Sequence, residues 1–433
     1  MILDGIPVLV VADPYSRMRN QLRFIIGGMA KEKAQRWLDD WNFIPSPYDE
    51  IETILHEAFH VHQKKMAPEK FADESVVTTY PLLDPTNNAL HALEGLLLKD
   101  ALVAEEPASR RQALKQFIAV RAYRQSRLDR KSVRYENLNE YVEGTAKYVE
   151  YKFLRVGEKI QPMRDMSLRN GFHGFAGVLS KRLRDRIEDM VRIAGVTDDR
   201  LMGNRFGAGP LRFRLYELGA CQALLLDEVL PSWKERVFKD GVYLCGLLQT
   251  AVPMSTEEQQ SELSMAQKKY GFDALLQAKV QFEQDGKKAA QDKADQILRT
   301  KQTHIAIDYH DLVGDLRMSY TPFGVTQVTR TLAVYDMVPI HIRFKAGVDL
   351  RMKQVIPVLV NRADKTVHFA VATPREKLAI RDSRSIDCNE FSLSGPCLDV
   401  SRDGNGLRIR IRSEARPRPL LGNEVAPPTP QAS

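Results

Sequence analysis

Apolar residues recur at three- and four-residue steps through most of the first 255 positions, which predicts helices. Such patterns run over 14–41, 88–103, 107–130, 138–154, 180–193 and 215–230, and a further helix starts after Pro47, with Asp49 or a neighbour as its cap. Between 255 and 300 the residues turn to Glu, Gln, Lys and Ala, the mark of a long polar helix or helical hairpin with a solvated surface. After Thr303 the period shortens to two. Val325 to Val334 alternates, Leu407 to Arg412 alternates strictly behind an Asp403-Gly404-Asn405-Gly406 turn signal, and short strands are expected near 340–344, 355–360 and 367–371. The pattern predicts a helical domain over 1–254, a helical connector over 255–302 and an all-β, sandwich-like domain over 303–414. A proline-rich tail over 415–433 reads as disordered.

One predicted helix carries chemistry. His56-Glu57-Ala58-Phe59-His60 is an H-E-x-x-H motif, whose two imidazoles project from one helix face toward a single metal ion. Two neutral histidine nitrogens can hold Zn²⁺, and the intervening glutamate is placed to take a proton from the water that the metal activates. Ile54, Leu55, Ala58, Phe59 and Val61 are uncharged, so the helix is expected to be buried. His62 lies two residues past His60 and points elsewhere.

A catalytic zinc site takes a third protein ligand. Glu143 is one candidate, in Glu143-Gly144-Thr145-Ala146-Lys147-Tyr148, where a helical glycine, costing roughly 1 kcal/mol, implies the close approach of another element. Small neighbours there would let this helix lie against the motif helix. The bland alternative is a solvated face, since Glu136, Glu140, Glu143, Lys147 and Glu150 recur at helical steps. Glu94, three residues after His91 and just before Gly95, is the rival ligand.

The H-E-x-x-H motif with a downstream E-G-x-A-x-Y segment resembles the gluzincin zinc metallopeptidases, although 82 residues separate His60 from Glu143, far more than in thermolysin-like members. The resemblance covers Ile54 to His60 and Glu143 to Tyr148. It implies a zincin-like, mainly helical catalytic domain, zinc held by His56, His60 and Glu143, Glu57 as general base, and a peptide or protein substrate. Tyr216, His173, Arg214 and Tyr148 are candidates to stabilise the oxyanion of a tetrahedral intermediate. The alternatives are a catalytically inactive zincin-like protein that binds a protein or glycan through its β domain, and a zinc hydrolase of a non-peptide acyl bond.

Composition narrows the classes. With 43% hydrophobic and 27% charged residues in 433, the chain is ordinary globular material. The net charge of +7 is modest. Its one local excess, Arg110 through Lys131, reads as a solvated basic helix face, and no nucleic-acid partner is expected. No apolar run reaches the roughly twenty residues of a membrane span. No signal peptide opens the chain as given, the expectation for a cytoplasmic protein or a processed form of an exported one. The four cysteines, Cys221, Cys245, Cys388 and Cys397, lack C-x-x-C spacing and are expected as buried thiols, with a Cys388–Cys397 bridge across a hairpin as the alternative.

Overall fold

The computed structural model describes residues 46–162, 164–168, 171–195, 208–314, 316–321, 324–381, 384–396 and 398–412, and two short paired strands, β1 (Ile2–Leu3) and β2 (Ile6–Pro7). The helix expected over 14–41, the tail over 415–433 and Cys397 lie outside the described residues. The chain divides into a helical unit, 1–296 with 320–338, and a sheet-rich unit, 297–319 with 339–433.

In the helical unit three of the four early helices start on a side-chain cap. α1 (Pro47–Met66) begins on Ser46, α2 (Pro85–Val103) on Asp84, and α4 (Arg130–Asn139) on Asp129, each cap accepting a backbone N–H from the first turn. α3 (Pro107–Ser126) packs along α2. The residues expected as one helix over 138–154 are instead the end of α4, a π turn (Glu140–Gly144) and α5 (Thr145–Val156). α6 (Val178–Gly195), α7 (Ala208–Val229) and α8 (Leu244–Ala251) complete the core, which gathers Leu93, Leu97, Phe117, Leu218, Leu226 and Leu248. Cys221 and Cys245 are buried free thiols within it, and Cys388 is a free thiol in the other unit.

Three sequence expectations are corrected here. Residues 255–302 are not a solvated connector: α9 (Thr256–Lys269) lies on α3, where Gln112 Nε2 donates to Glu262 Oε2 at 2.6 Å, and α10 (Phe272–Leu298) buries Ala290 and Ala294. The basic stretch is a solvated face only in part: Arg111, Arg127, Arg130 and Lys131 are exposed, but Arg121 and Arg124 are 0% exposed. Arg121 pairs with Glu94 and Glu140, and Arg124 with Glu94 and Glu136. Those same contacts remove the solvated reading of Glu136 and Glu140.

The sheet-rich unit has two sheets. One runs β14 (Leu398–Asp403), β15 (Gly406–Ile411), β3 (Thr303–Asp308), β10 (Thr366–Val371), β9 (Val358–Asn361), with β15 parallel to β3. The other runs β11 (Ala379–Arg381), β12 (Ser385–Asp387), β13 (Phe391–Ser394), β8 (Asp349–Met352), β7 (His341–Arg343), β4 (Arg317–Ser319). The sheets meet face to face where Phe369 of β10 sets its ring 5.0 Å from that of Phe391 of β13. Val325 to Val334 forms a hairpin rather than one strand, β5 (Val325–Gln327) and β6 (Leu332–Tyr335), because the Thr329 hydroxyl accepts from the backbone of Thr331 and Leu332 and closes a turn. This hairpin belongs to the helical unit, where Gln327 Nε2 donates to the Thr78 carbonyl and Tyr320 Oη to that of Glu74. No described helix is long and apolar enough to cross a membrane.

Candidate metal centre

α1 turns a polar face inward. Glu52 and Gln63 are buried, and His56 and His60 lie between them, while Ile54, Glu57 and Ala58 are exposed, so the motif helix is not the buried helix that its uncharged positions predict. The inward face is paired along its length. Arg182 and Arg186 of α6 hold Asp49 and Glu52, and Tyr48 anchors the start of the helix among Leu154, Phe175 and Leu179.

His56, His60 and Glu143 come together into a group that can hold a metal ion, their donor atoms all within 4.8 Å of one another. Glu143 Oε2 lies 3.3 Å from His56 Nε2 and 3.4 Å from His60 Nε2. The second nitrogen of each ring is engaged: His56 Nδ1 is 2.7 Å from Glu150 Oε1, and His60 Nδ1 is 2.7 Å from Gln63 Oε1. Ligating histidines are commonly oriented in this way through their other nitrogen. Glu143 is held from behind by α7, where Arg212 Nη2 donates to its Oε1 at 3.1 Å and to Tyr216 Oη at 3.0 Å. Arg212 Nη1 also reaches Glu74 and Asn139.

The charges support one another. Burial alone would strip the proton from His56, but the hydrogen bonds to Glu143 and Glu150 outweigh it and raise its pKa to about 9. Burial opposes ionisation of Glu143, yet the two imidazoles and Arg212 hold its carboxyl well below the usual carboxylate range. Burial, reinforced by the Glu143 charge, pushes the Tyr216 phenol up, so it keeps its proton.

Gly144 sits where the sequence implies a close approach, but the element that closes on it is α7 rather than the motif helix. A Cβ on Gly144 would stand 2.5 Å from Gly219 Cα, and one on Gly219 would stand 2.4 Å from the Glu140 carbonyl oxygen. Only glycine fits both positions. α1 packs instead on α5, whose Glu150 reaches His56.

The other candidates fall in different places. Glu94 is completely buried against Arg121 and Arg124 and is no ligand. Tyr216 is at the centre, its ring centroid 6.4 Å from that of His56. Arg214 turns to His91 Nδ1 at 3.3 Å, and the Tyr148 hydroxyl donates to Asp227. His173 is exposed in its loop, where its backbone N–H donates to Tyr48 Oη. His62 packs on Phe59 and Phe238. Glu57 is exposed, next in sequence to His56. Sequence reasoning missed Gln63 and Arg212, and placed Glu150 on a solvated face. The signals were Gln63 one turn past His60, Glu150 two turns past Glu143, and Arg212 one turn before Tyr216. Comparison with family models, with curated proteins and with solved structures gives no match.

Proposed function

We propose that the chain is a zinc-dependent hydrolase of peptide bonds. The observation that carries this reading is the donor triangle of His56 Nε2, His60 Nε2 and Glu143 Oε2, with edges of 3.3 and 3.4 Å at the carboxylate. Tetrahedral zinc with bonds of about 2.05 Å sets its donors roughly 3.3 Å apart. Two imidazoles and one carboxylate are also the donor set of catalytic zinc, which keeps a fourth position for water or substrate. When bound, zinc acts as a Lewis acid and makes water an effective nucleophile near neutral pH.

The chain's own groups divide the remaining work. Glu150 and Gln63 aim the two imidazoles, and Arg212 aims the carboxylate. Glu57, exposed and next to His56 in the motif, takes the proton from water and returns it to the leaving amine. Tyr216, protonated and beside Glu143, donates to the carbonyl oxygen of the substrate as charge develops there. Peptide is the preferred substrate on the gluzincin-like motif pair, since the donor set by itself would serve other acyl groups as well.

The test compares wild type with Glu57→Gln for zinc per chain and for cleavage of a quenched fluorescent peptide library. One zinc in both proteins and cleavage in the wild type alone is the expected result. A wild type that takes up no zinc, or a Glu57→Gln chain that cleaves as fast, overturns the reading.

A further inference from the structure

We infer that Gln63 is the positioning residue that fixes His60 as a ligand, and that it takes its own orientation from the π turn and, through the π turn, from Gly219 of α7. The inference rests on the metal site proposed above.

A carboxamide can face either way, and here the backbone decides. Gln63 Nε2 lies 2.9 Å from the Val142 carbonyl oxygen, 3.1 Å from that of Tyr141 and 2.9 Å from Thr145 Oγ1. Carbonyls only accept, and the Thr145 hydroxyl spends its own proton on the Tyr141 carbonyl at 2.6 Å. Turned over, the amide would set its oxygen against three acceptors. Gln63 Oε1 must therefore face His60 Nδ1, 2.7 Å away, and that nitrogen must carry the proton. In a neutral imidazole the lone pair is then left on Nε2, the atom turned toward Glu143. Gln63 is completely buried, so no water competes for either end of the amide.

These carbonyls belong to the π turn. The Tyr141 and Val142 oxygens accept the Thr145 backbone N–H and still have a lone pair each for Gln63 Nε2. The turn's place is set by the Gly144–Gly219 contact, which leaves no room for a Cβ on either side. A line of contacts thus runs from α7 through the π turn and Gln63 to His60. The two histidines are treated differently: His56 faces a carboxylate, His60 a neutral amide. A carboxylate at position 63 would accept from His60 but would also confront the Tyr141 and Val142 carbonyls.

The experiment uses the full chain stripped of metal, with zinc affinity read by competition against a fluorescent chelator. Outer groups that orient ligands are typically worth about 10–100-fold in metal affinity, and Gln63→Leu should lose that much. Gln63→Glu should lose affinity as well, although it keeps the acceptor for His60. Thr145→Val, isosteric and milder, should lose about fivefold, the worth of one hydrogen bond. The second readout is nitrogen-15 NMR of histidine-labelled, metal-free protein at alkaline pH, where His60 should show the Nδ1–H tautomer in wild type and a mixture in Gln63→Leu and Thr145→Val. Affinities within twofold of wild type, or a His60 tautomer unchanged in both variants, overturn the inference while the metal site stands. If wild type takes up no zinc, the metal reading fails on its own, and the tautomer still decides for or against Gln63.

Discussion

Replacing Arg124 with methionine asks whether the buried charges of the helical unit depend on one another. Arg124 donates through Nε to Glu94 at 2.6 Å and through its Nη atoms to Glu136 at 2.6 and 2.8 Å and to Asn87 at 3.0 Å. Glu94 would keep Arg121 at 2.9 Å. Glu136 would keep only the Tyr80 hydroxyl and the Gln125 amide, so the damage concentrates there. Removing one partner of a buried ion pair costs about 3–5 kcal/mol, and the surviving Arg121 contact places this case near the lower end, about 3 kcal/mol. That is a large share of the roughly 5–15 kcal/mol that holds a typical domain. Urea denaturation followed by tryptophan fluorescence reads the effect, because Trp233 is buried in the core of the helical unit. The pH dependence supplies the sign. Burial pushes the Glu136 pKa up, but in wild type Arg124 outweighs it and holds the value below 4.5. The stability it contributes is thus present above pH 4.5 and lost as pH falls through the folded value. Without Arg124 burial wins, folding takes up a proton at Glu136, and the deficit should shrink between pH 7 and pH 5. A deficit under about 1 kcal/mol at pH 7, or one equal at both pH values, refutes this account.

Zinc content should vanish in Glu143→Ala and persist in Glu94→Ala, which is destabilised instead; plasma mass spectrometry on each protein decides between the two glutamates. Because His56 holds its proton up to about pH 9 without metal, each zinc must displace that proton. Affinity should therefore rise about tenfold per pH unit and level off near pH 9, whereas a flat profile between pH 6.5 and 8.5 contradicts the assignment. Glu150→Ala should weaken zinc binding by about 10–100-fold and move the levelling-off point to lower pH, which titrations at several pH values would reveal. Tyr216→Phe should leave zinc content unchanged and slow peptide cleavage by about 100-fold, the scale of one lost oxyanion donor; a rate within threefold of wild type removes Tyr216 from the mechanism.

Much of the candidate centre was legible because helical spacing is local. His56 and His60 four apart, and Glu143 beside a glycine that had to meet something, could be read without knowing how the helices pack. What could not be read was the direction in which charges face. Arg121, Arg124, Glu136 and Glu140 recur at steps that also suit a wet surface, and only the crossing of α2, α3 and α4 turns them toward one another. The π turn was hidden for a similar reason: one extra residue in a turn leaves no mark on a 3.6-residue pattern, and its cause lies more than seventy positions away at Gly219. The strand–turn–strand nature of 325–335 was masked because Thr329-Arg330-Thr331 contains none of the Gly, Pro, Asn or Asp that signal a turn.

The hairpin segment 320–338 has a consequence for synthesis. The carboxylate of Glu74 pairs with Arg212 behind the metal centre, and the carbonyl of Glu74 accepts from Tyr320 at 3.0 Å. A ribosome thus makes α1 and both histidines long before it delivers the last residues of the body that supports them, and first it must spin out 297–319, which belong to the other unit. The helical unit cannot close on itself while the nascent chain is shorter than this. A gene cut once near codon 300 would encode two incomplete proteins, and a stop there would deprive the metal-bearing half of part of its own wall.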